Sequence, residues 1–161
     1  MLFRSWIGTS DNGLCRFRQG KFATIRIEQG LLGSIISQIA DDGAGNLWLG
    51  SHHGILRAGK ADLNRCADGG QKTVRCLSYG NAEGMASQKC SGGFQPGVCK
   101  TADGRLWFPT SKGLAIIDPG SFTTNTVPPP VVIEELIVEG QGVKFQETKA
   151  ADREEIGRAH V

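Results

Sequence analysis

The sequence predicts an all-β fold built from repeated antiparallel strand units. Three observations predict it: a short Trp-centred phrase occurs three times, turn residues surround each copy, and 23 glycines accompany only 7% aromatic residues. Many tight turns joined by short strands need that glycine content, whereas a helical chain does not. At 161 residues and 39% hydrophobic composition the chain carries enough apolar surface for a real core, so disorder is not expected.

The first copy is Trp6-Ile7-Gly8-Thr9-Ser10-Asp11-Asn12-Gly13-Leu14 and the second Asn46-Leu47-Trp48-Leu49-Gly50-Ser51-His52-His53-Gly54-Ile55. The third is Arg105-Leu106-Trp107-Phe108-Pro109-Thr110-Ser111-Lys112-Gly113-Leu114. Asp41-Asp42-Gly43-Ala44-Gly45 precedes the second and Thr101-Ala102-Asp103-Gly104 the third, and both stretches read as hairpin turns. Trp48 follows Trp6 by 42 positions, the length of one four-stranded propeller blade. Trp107 follows Trp48 by 59, and the excess is assigned to loops between strands. The expected architecture is a partial β-propeller of about three four-stranded antiparallel blades.

In the second unit Ile35–Ile39 is expected as inner strand, Leu47–Ser51 as the next, Ile55–Arg57 as the third and Thr73–Tyr79 as the outer. Trp6, Trp48 and Trp107, with Gly13, Gly54 and Gly113, are the structural repeat positions. Large aromatics at a repeat period pack between blades, and a ligand platform is the alternative. Pro109 replaces the glycine of the other copies, and its missing N–H would break a ladder bond unless a bulge intervenes.

Propeller blades are expected over residues 1–126, a proline-rich linker over 127–130, and the opening strand of a second β domain from Val131 to Val138. The net charge of +2 is too mild, and its basic residues too scattered, for a nucleic-acid footprint or membrane contact by this segment. No apolar run approaches a bilayer span, and the first residues lack a signal peptide's apolar stretch.

The five cysteines contain no C-x-x-C pair, which argues against a zinc site, and no metal or cofactor is expected. The turn-rich stretch between Cys66 and Cys76 predicts a hairpin holding them at disulfide distance, and Cys90 and Cys99 bracket a Gly/Pro loop. Two such bridges imply an oxidising compartment, while five free thiols are the other reading. Cys15 reads as a core residue.

Asp42-Gly43-Ala44-Gly45-Asn46-Leu47-Trp48-Leu49-Gly50-Ser51 through Gly54-Ile55 resembles the repeat of the two-component regulator propeller family. The stretch Asp103–Thr110, then Ile117-Asp118-Pro119 and Pro128-Pro129-Pro130, resembles the last blade of such proteins running into the Ig-like domain named for three tyrosines. The resemblance spans Trp6 to about Glu139. It implies that 131–154 begins an Ig-like β-sandwich, contributing its first strand, and that the segment lies in the periplasm of a receptor anchored in the inner membrane.

The implied role is extracytoplasmic sensing for a sensor histidine kinase, or for a diguanylate cyclase. The implied partners are a small molecule, glycan or periplasmic protein, together with the remaining blades and the Ig-like domain of the parent chain. Residues 155–161 resemble a translated sequencing adapter, so the natural sequence is expected to stop near Glu154.

No G-x-S-x-G, H-E-x-x-H, P-loop or dinucleotide glycine pattern is present, and no catalytic residue is expected. The paired carboxylates at Asp41-Asp42 and Glu134-Glu135 read as the start of a turn and a solvated strand edge. The ligand-binding candidates sit in equivalent turns between second and third strands: Asp11 and Asn12, His52 and His53, Ser111 and Lys112. In propellers that turn shares a face with the loops leading into each inner strand, where ligands sit. Ordinary exposed turn residues are the alternative, since His, Asn and Asp suit turns without a ligand. A propeller-fold lyase or hydrolase is the other function class, and it requires a His and acid cluster that these residues do not supply.

Overall fold

The computed structural model describes residues 4–121, 136–138 and 141–143. Two compact units divide the chain, residues 1–123 and 124–161. The first holds three antiparallel sheets and one short helix, so the fold is all-β.

The first sheet is a meander of β1 (Arg4–Gly8), β2 (Leu14–Arg18) and β3 (Lys21–Ile25). The second runs in the order β4 (Ile36–Asp41), β5 (Asn46–Ser51), β6 (Gly54–Gly59) and β7 (Cys76–Tyr79). Helix α1 (Lys60–Ala67) separates β6 from β7. The third sheet joins β8 (Cys99–Lys100), β9 (Leu106–Thr110) and β10 (Gly113–Ile117). Trp6, Trp48 and Trp107 occupy β1, β5 and β9, each followed by a turn and a returning strand, so the repeated phrase is one hairpin built three times.

In the second unit β11 (Leu136–Val138) pairs antiparallel with β12 (Gln141–Val143). The expected linker 127–130, residues 131–135 of the expected opening strand, and the tail 155–161 lie outside the described residues.

Two expectations about the second sheet are corrected. The stretch expected to form a Cys66–Cys76 hairpin instead begins as helix, and Cys66 sits in α1 while Cys76 opens β7. Leu63, Cys66 and Ala67 recur at helical spacing; Leu63 is fully buried, and Cys66 and Ala67 pack against the same core. Asp62 in the first turn and Arg65 in the last match the helix dipole. The outer strand is shorter than expected, because residues 73–75 precede the paired segment.

The two buried clusters lie on opposite faces of the second sheet. Leu14 and Ile25 of the first sheet pack with Leu47, Leu49, Leu56 and Ala58 of the second, and Leu63 of α1 joins them. On the other face Ala40, Trp48 and Ile55 pack with Leu106, Phe108 and Ile117 of the third sheet. β5 and β6 are therefore apolar on both faces, which explains their continuous rather than alternating hydrophobic runs.

All five cysteines are free thiols. Cys90 bridges Thr110 while Cys99 pairs with Trp107, three residues away along β9. Three residues of strand span about 10 Å, beyond disulfide reach, so the expected Cys90–Cys99 bridge is not formed.

Pro109 sits within β9, paired with Leu114. The β8 ladder pairs only residues 106 and 107 of β9, and its side of the strand is met again at the isolated Cys90–Thr110 bridge. The Pro109 carbonyl accepts the Ser91 N–H at 2.9 Å on that side. A residue's N and C=O point the same way in a strand, so the missing donor faces residues 91–98, where the partner strand loops out.

Candidate functional site

Each repeat turn is closed by a hydroxyl at the end of its Trp strand. Thr9 Oγ1 donates to the Gly13 carbonyl at 2.9 Å, Ser51 Oγ to Gly54 at 2.7 Å, and Thr110 Oγ1 to Gly113 at 2.9 Å. The same oxygens accept backbone N–H groups from Asn12, His53 and Lys112 at 2.9, 3.1 and 3.3 Å. Residues 11–12, 52–53 and 111–112 are thereby presented on fixed backbone. Gly13, Gly54 and Gly113 follow with φ of 78°, 119° and 114°, a region that side-chain-bearing residues avoid.

The turns lie along one edge of the three sheets. The Gly13 N–H donates to Ser34 at 2.7 Å, and the Ile36 N–H to Thr9 at 2.9 Å, so the first turn meets the segment leading into β4. A Cβ built on Gly33 of that segment would lie 3.8 Å from His53 Nδ1. The Cys90 N–H donates to Ser51 at 3.0 Å, and the Ser111 N–H to Lys89 at 3.0 Å, which links the second turn to the third.

Asp11, Asn12, His52, His53, Ser111 and Lys112 are all exposed on this rim. Asn12 Nδ2 donates to Asp11 Oδ1 at 2.9 Å, and Ser87 and Ser111 share a hydroxyl hydrogen bond at 2.8 Å. Among the described residues no three His, Cys, Asp or Glu side chains converge as a metal site would require. The rim therefore offers polar, cationic and anionic hydrogen-bonding groups on turns closed by backbone hydrogen bonds.

Beside the Ser111–Lys112 turn lies a cavity of about 300 Å3, lined by Tyr79, Met85, Ser87, Thr110, Leu114 and Ile117 among others. Its lining comes from the 79–87 segment and from β9 and β10. No local sequence pattern connects those stretches.

The opposite end of the second repeat hairpin is held by Asp42. Its carboxylate accepts the Ala44 and Asn46 N–H groups at 2.7 and 3.0 Å, Asn46 Nδ2 at 2.7 Å and Trp48 Nε1 at 3.1 Å. Burial opposes ionisation of Asp42, but the bonds from Asn46, Ala44 and Trp48 outweigh it and hold its carboxyl below the usual range. A hydrogen bond from the Lys60 ammonium does the same for Asp41.

Trp48, fully buried, stacks on Tyr79 with ring centroids 5.4 Å apart, and the Arg57 guanidinium lies 5.5 Å from its centroid. In the third repeat Thr101 occupies the position of Asp42. Thr101 takes over the backbone closure, its N–H donating to the Arg105 carbonyl at 2.9 Å as Asp42 donates to Asn46. Thr101 does not reach the indole, and the buried Trp107 Nε1 has no partner.

The structure thus brings all six candidate turn residues to one edge and gives the three Trp residues equivalent strand positions. The roles of Thr9, Ser51 and Thr110 were missed by sequence reasoning, although the hydroxyl recurs three residues after each Trp. Among the described residues no helix is long and apolar enough to cross a membrane. No protein-family model and no curated protein matches the chain.

Proposed function

We propose that this chain is a ligand- or partner-sensing β-propeller segment of a bacterial two-component receptor, held in the periplasm and coupled to a histidine kinase output. The observation that carries this reading is the row of three hydroxyl-closed turns on one edge, with a cavity beside the third. Recognition on such a scaffold needs side chains projected from loops whose backbone does not move, and these turns supply them. His52, His53, Asp11, Asn12, Ser111 and Lys112 suit hydroxyl-rich ligands, because they combine imidazole, amide and hydroxyl groups with one carboxylate and one ammonium. The signal leaves through the second unit toward a membrane anchor and the kinase.

Sequencing the gene on both sides of these codons tests the proposal. The expected result is further Trp-centred repeats upstream and, downstream, an Ig-like domain, one apolar helix of about 20 residues and a kinase module. A hydrolase or lyase domain, or an open reading frame with no membrane span, would contradict it.

A further inference from the structure

At the edge opposite the rim lies a second polar cavity, of about 290 Å3, lined by Arg16, Arg18, Lys21 and Asp68 with Phe22 and Ala67. The strand directions put it there: β2 starts at the first rim turn and ends at Arg18, and β6 starts at the second and runs into α1. A two-residue turn at Gln19-Gly20, both with positive φ, sets Lys21 directly opposite Arg18. Arg16 and Arg18 alternate with Phe17 along β2, so they share the face by which Leu14 packs on the second sheet. The cavity therefore lies between the β2–β3 hairpin and the C-terminal end of α1, elements that the core already joins.

Arg16 is only 4% exposed. Its Nη1 donates to Asn64 and its Nη2 to Asp68, yet its Nε is buried without a hydrogen-bond partner. Arg18 Nη1 also donates to Asp68, and its Nε is likewise buried and unpartnered. A mere staple between β2 and α1 gains nothing from two unmet guanidinium donors, because each has given up its bonds to water. Three cations less one carboxylate leave two positive charges in excess around the cavity. Asp68, shared by both guanidiniums, shows the acceptor they suit, since the planar guanidinium fork matches a carboxylate. We propose that this cavity binds a short aliphatic dicarboxylate, one end accepting from Arg16 Nε and Arg18 Nε and the other pairing with Lys21. Two negative charges match the excess, the volume is that of a small ligand site, and Phe22 and Ala67 give the carbon chain an apolar wall. The site shares no residue with the rim, so it stands or falls apart from the sensing reading.

Calorimetric titration of the whole chain with malonate, succinate and glutarate at constant ionic strength tests this. At least one of the three is expected to bind and to shift the Arg16 Nε–H resonance in the NMR spectrum. Its affinity is expected to fall about tenfold or more in Lys21→Gln, an exposed position, and again in Arg18→Gln. A cooperative melt of each variant confirms folding, and Arg26→Gln, just past the other end of β3, is expected to bind as the wild type does. Acetate is expected to bind more weakly than the best dicarboxylate, because it meets only one end of the site. Neither heat nor a resonance shift with any of the three would overturn the proposal, as would binding that both cavity variants leave unchanged. Inorganic phosphate binding more tightly than all three would overturn the carboxylate assignment, and acetate matching the best of them would overturn the two-ended one.

Discussion

At the scale of single residues, the turn glycines differ in what surrounds them. A Cβ on Gly54 would lie 2.4 Å from the Tyr79 carbonyl oxygen, whereas one on Gly113 meets nothing within 4 Å. Both hold φ above 110°. Gly113→Ala is therefore expected to cost only the backbone strain, about 1–3 kcal/mol. Gly54→Ala adds a clash that a carbonyl in a paired strand cannot relieve, for a total of about 3 kcal/mol or more. Urea denaturation of both variants checks the order.

Asp42 gives a pH dependence whose sign is fixed by its depressed folded-state pKa. Its contribution is fully present above the ordinary carboxyl value, about 3.9, and is lost as pH falls through the lower folded-state value. Asp103 is held down to about 2, first by the Thr101 hydroxyl and then by Arg105. Thermal melts are expected to fall between about pH 4 and pH 2, and Asp42→Asn is expected to flatten that fall. An equally steep acid limb in the variant would assign it to other carboxylates.

At the scale of elements, α1 is the piece that joins two sheets. Arg16 of β2 is buried, and its guanidinium donates to the carbonyl and side chain of Asn64 at 3.2 and 3.0 Å and pairs with Asp68. Leu63 fills the core beneath, so Leu63→Ala is expected to destabilise by about 2–5 kcal/mol, measured by denaturant midpoint. The thiols give a second check on the same elements. Burial pushes Cys90 and Cys76 up to about 11, while Cys99 is exposed. An aromatic disulfide reagent is expected to modify Cys99 before Cys90, and intact mass is expected not to change on reduction. A mass 4 Da lower before reduction would restore the two bridges.

The strands of the second sheet were legible because glycine and aspartate turns bracket runs of Ile, Leu and Trp. The helix was not. Its apolar spacing rests on three residues, and the cysteine pair within the same stretch suggested a hairpin instead. The rim turns were legible as positions but not as a site. The bonds that align them join residues far apart in sequence, such as Ser51 with Cys90 and Lys89 with Ser111.

At the scale of the whole molecule, one design is repeated: a Trp strand, a hydroxyl-closed turn and a returning strand, with the first and second sheets each packing the face that carries the Trp on the next sheet. The repeats are not equally furnished, because Trp48 has Asp42 while Trp107 has Thr101 in the corresponding place. If the units are equivalent, a part moved from one to the next must work. Thr101→Asp should therefore give the Trp107 indole the acceptor it lacks, and Asp103→Ala beside it reproduces Ala44 of the second repeat and removes the carboxylate that the Thr101 hydroxyl bonds. The direct measurement is hydrogen exchange of the three indole N–H groups by NMR, wild type against the Thr101→Asp, Asp103→Ala variant. Trp107 Nε1–H alone is expected to become slower to exchange, moving toward Trp48. Unchanged Trp107 exchange in a folded variant would contradict the equivalence of the repeats.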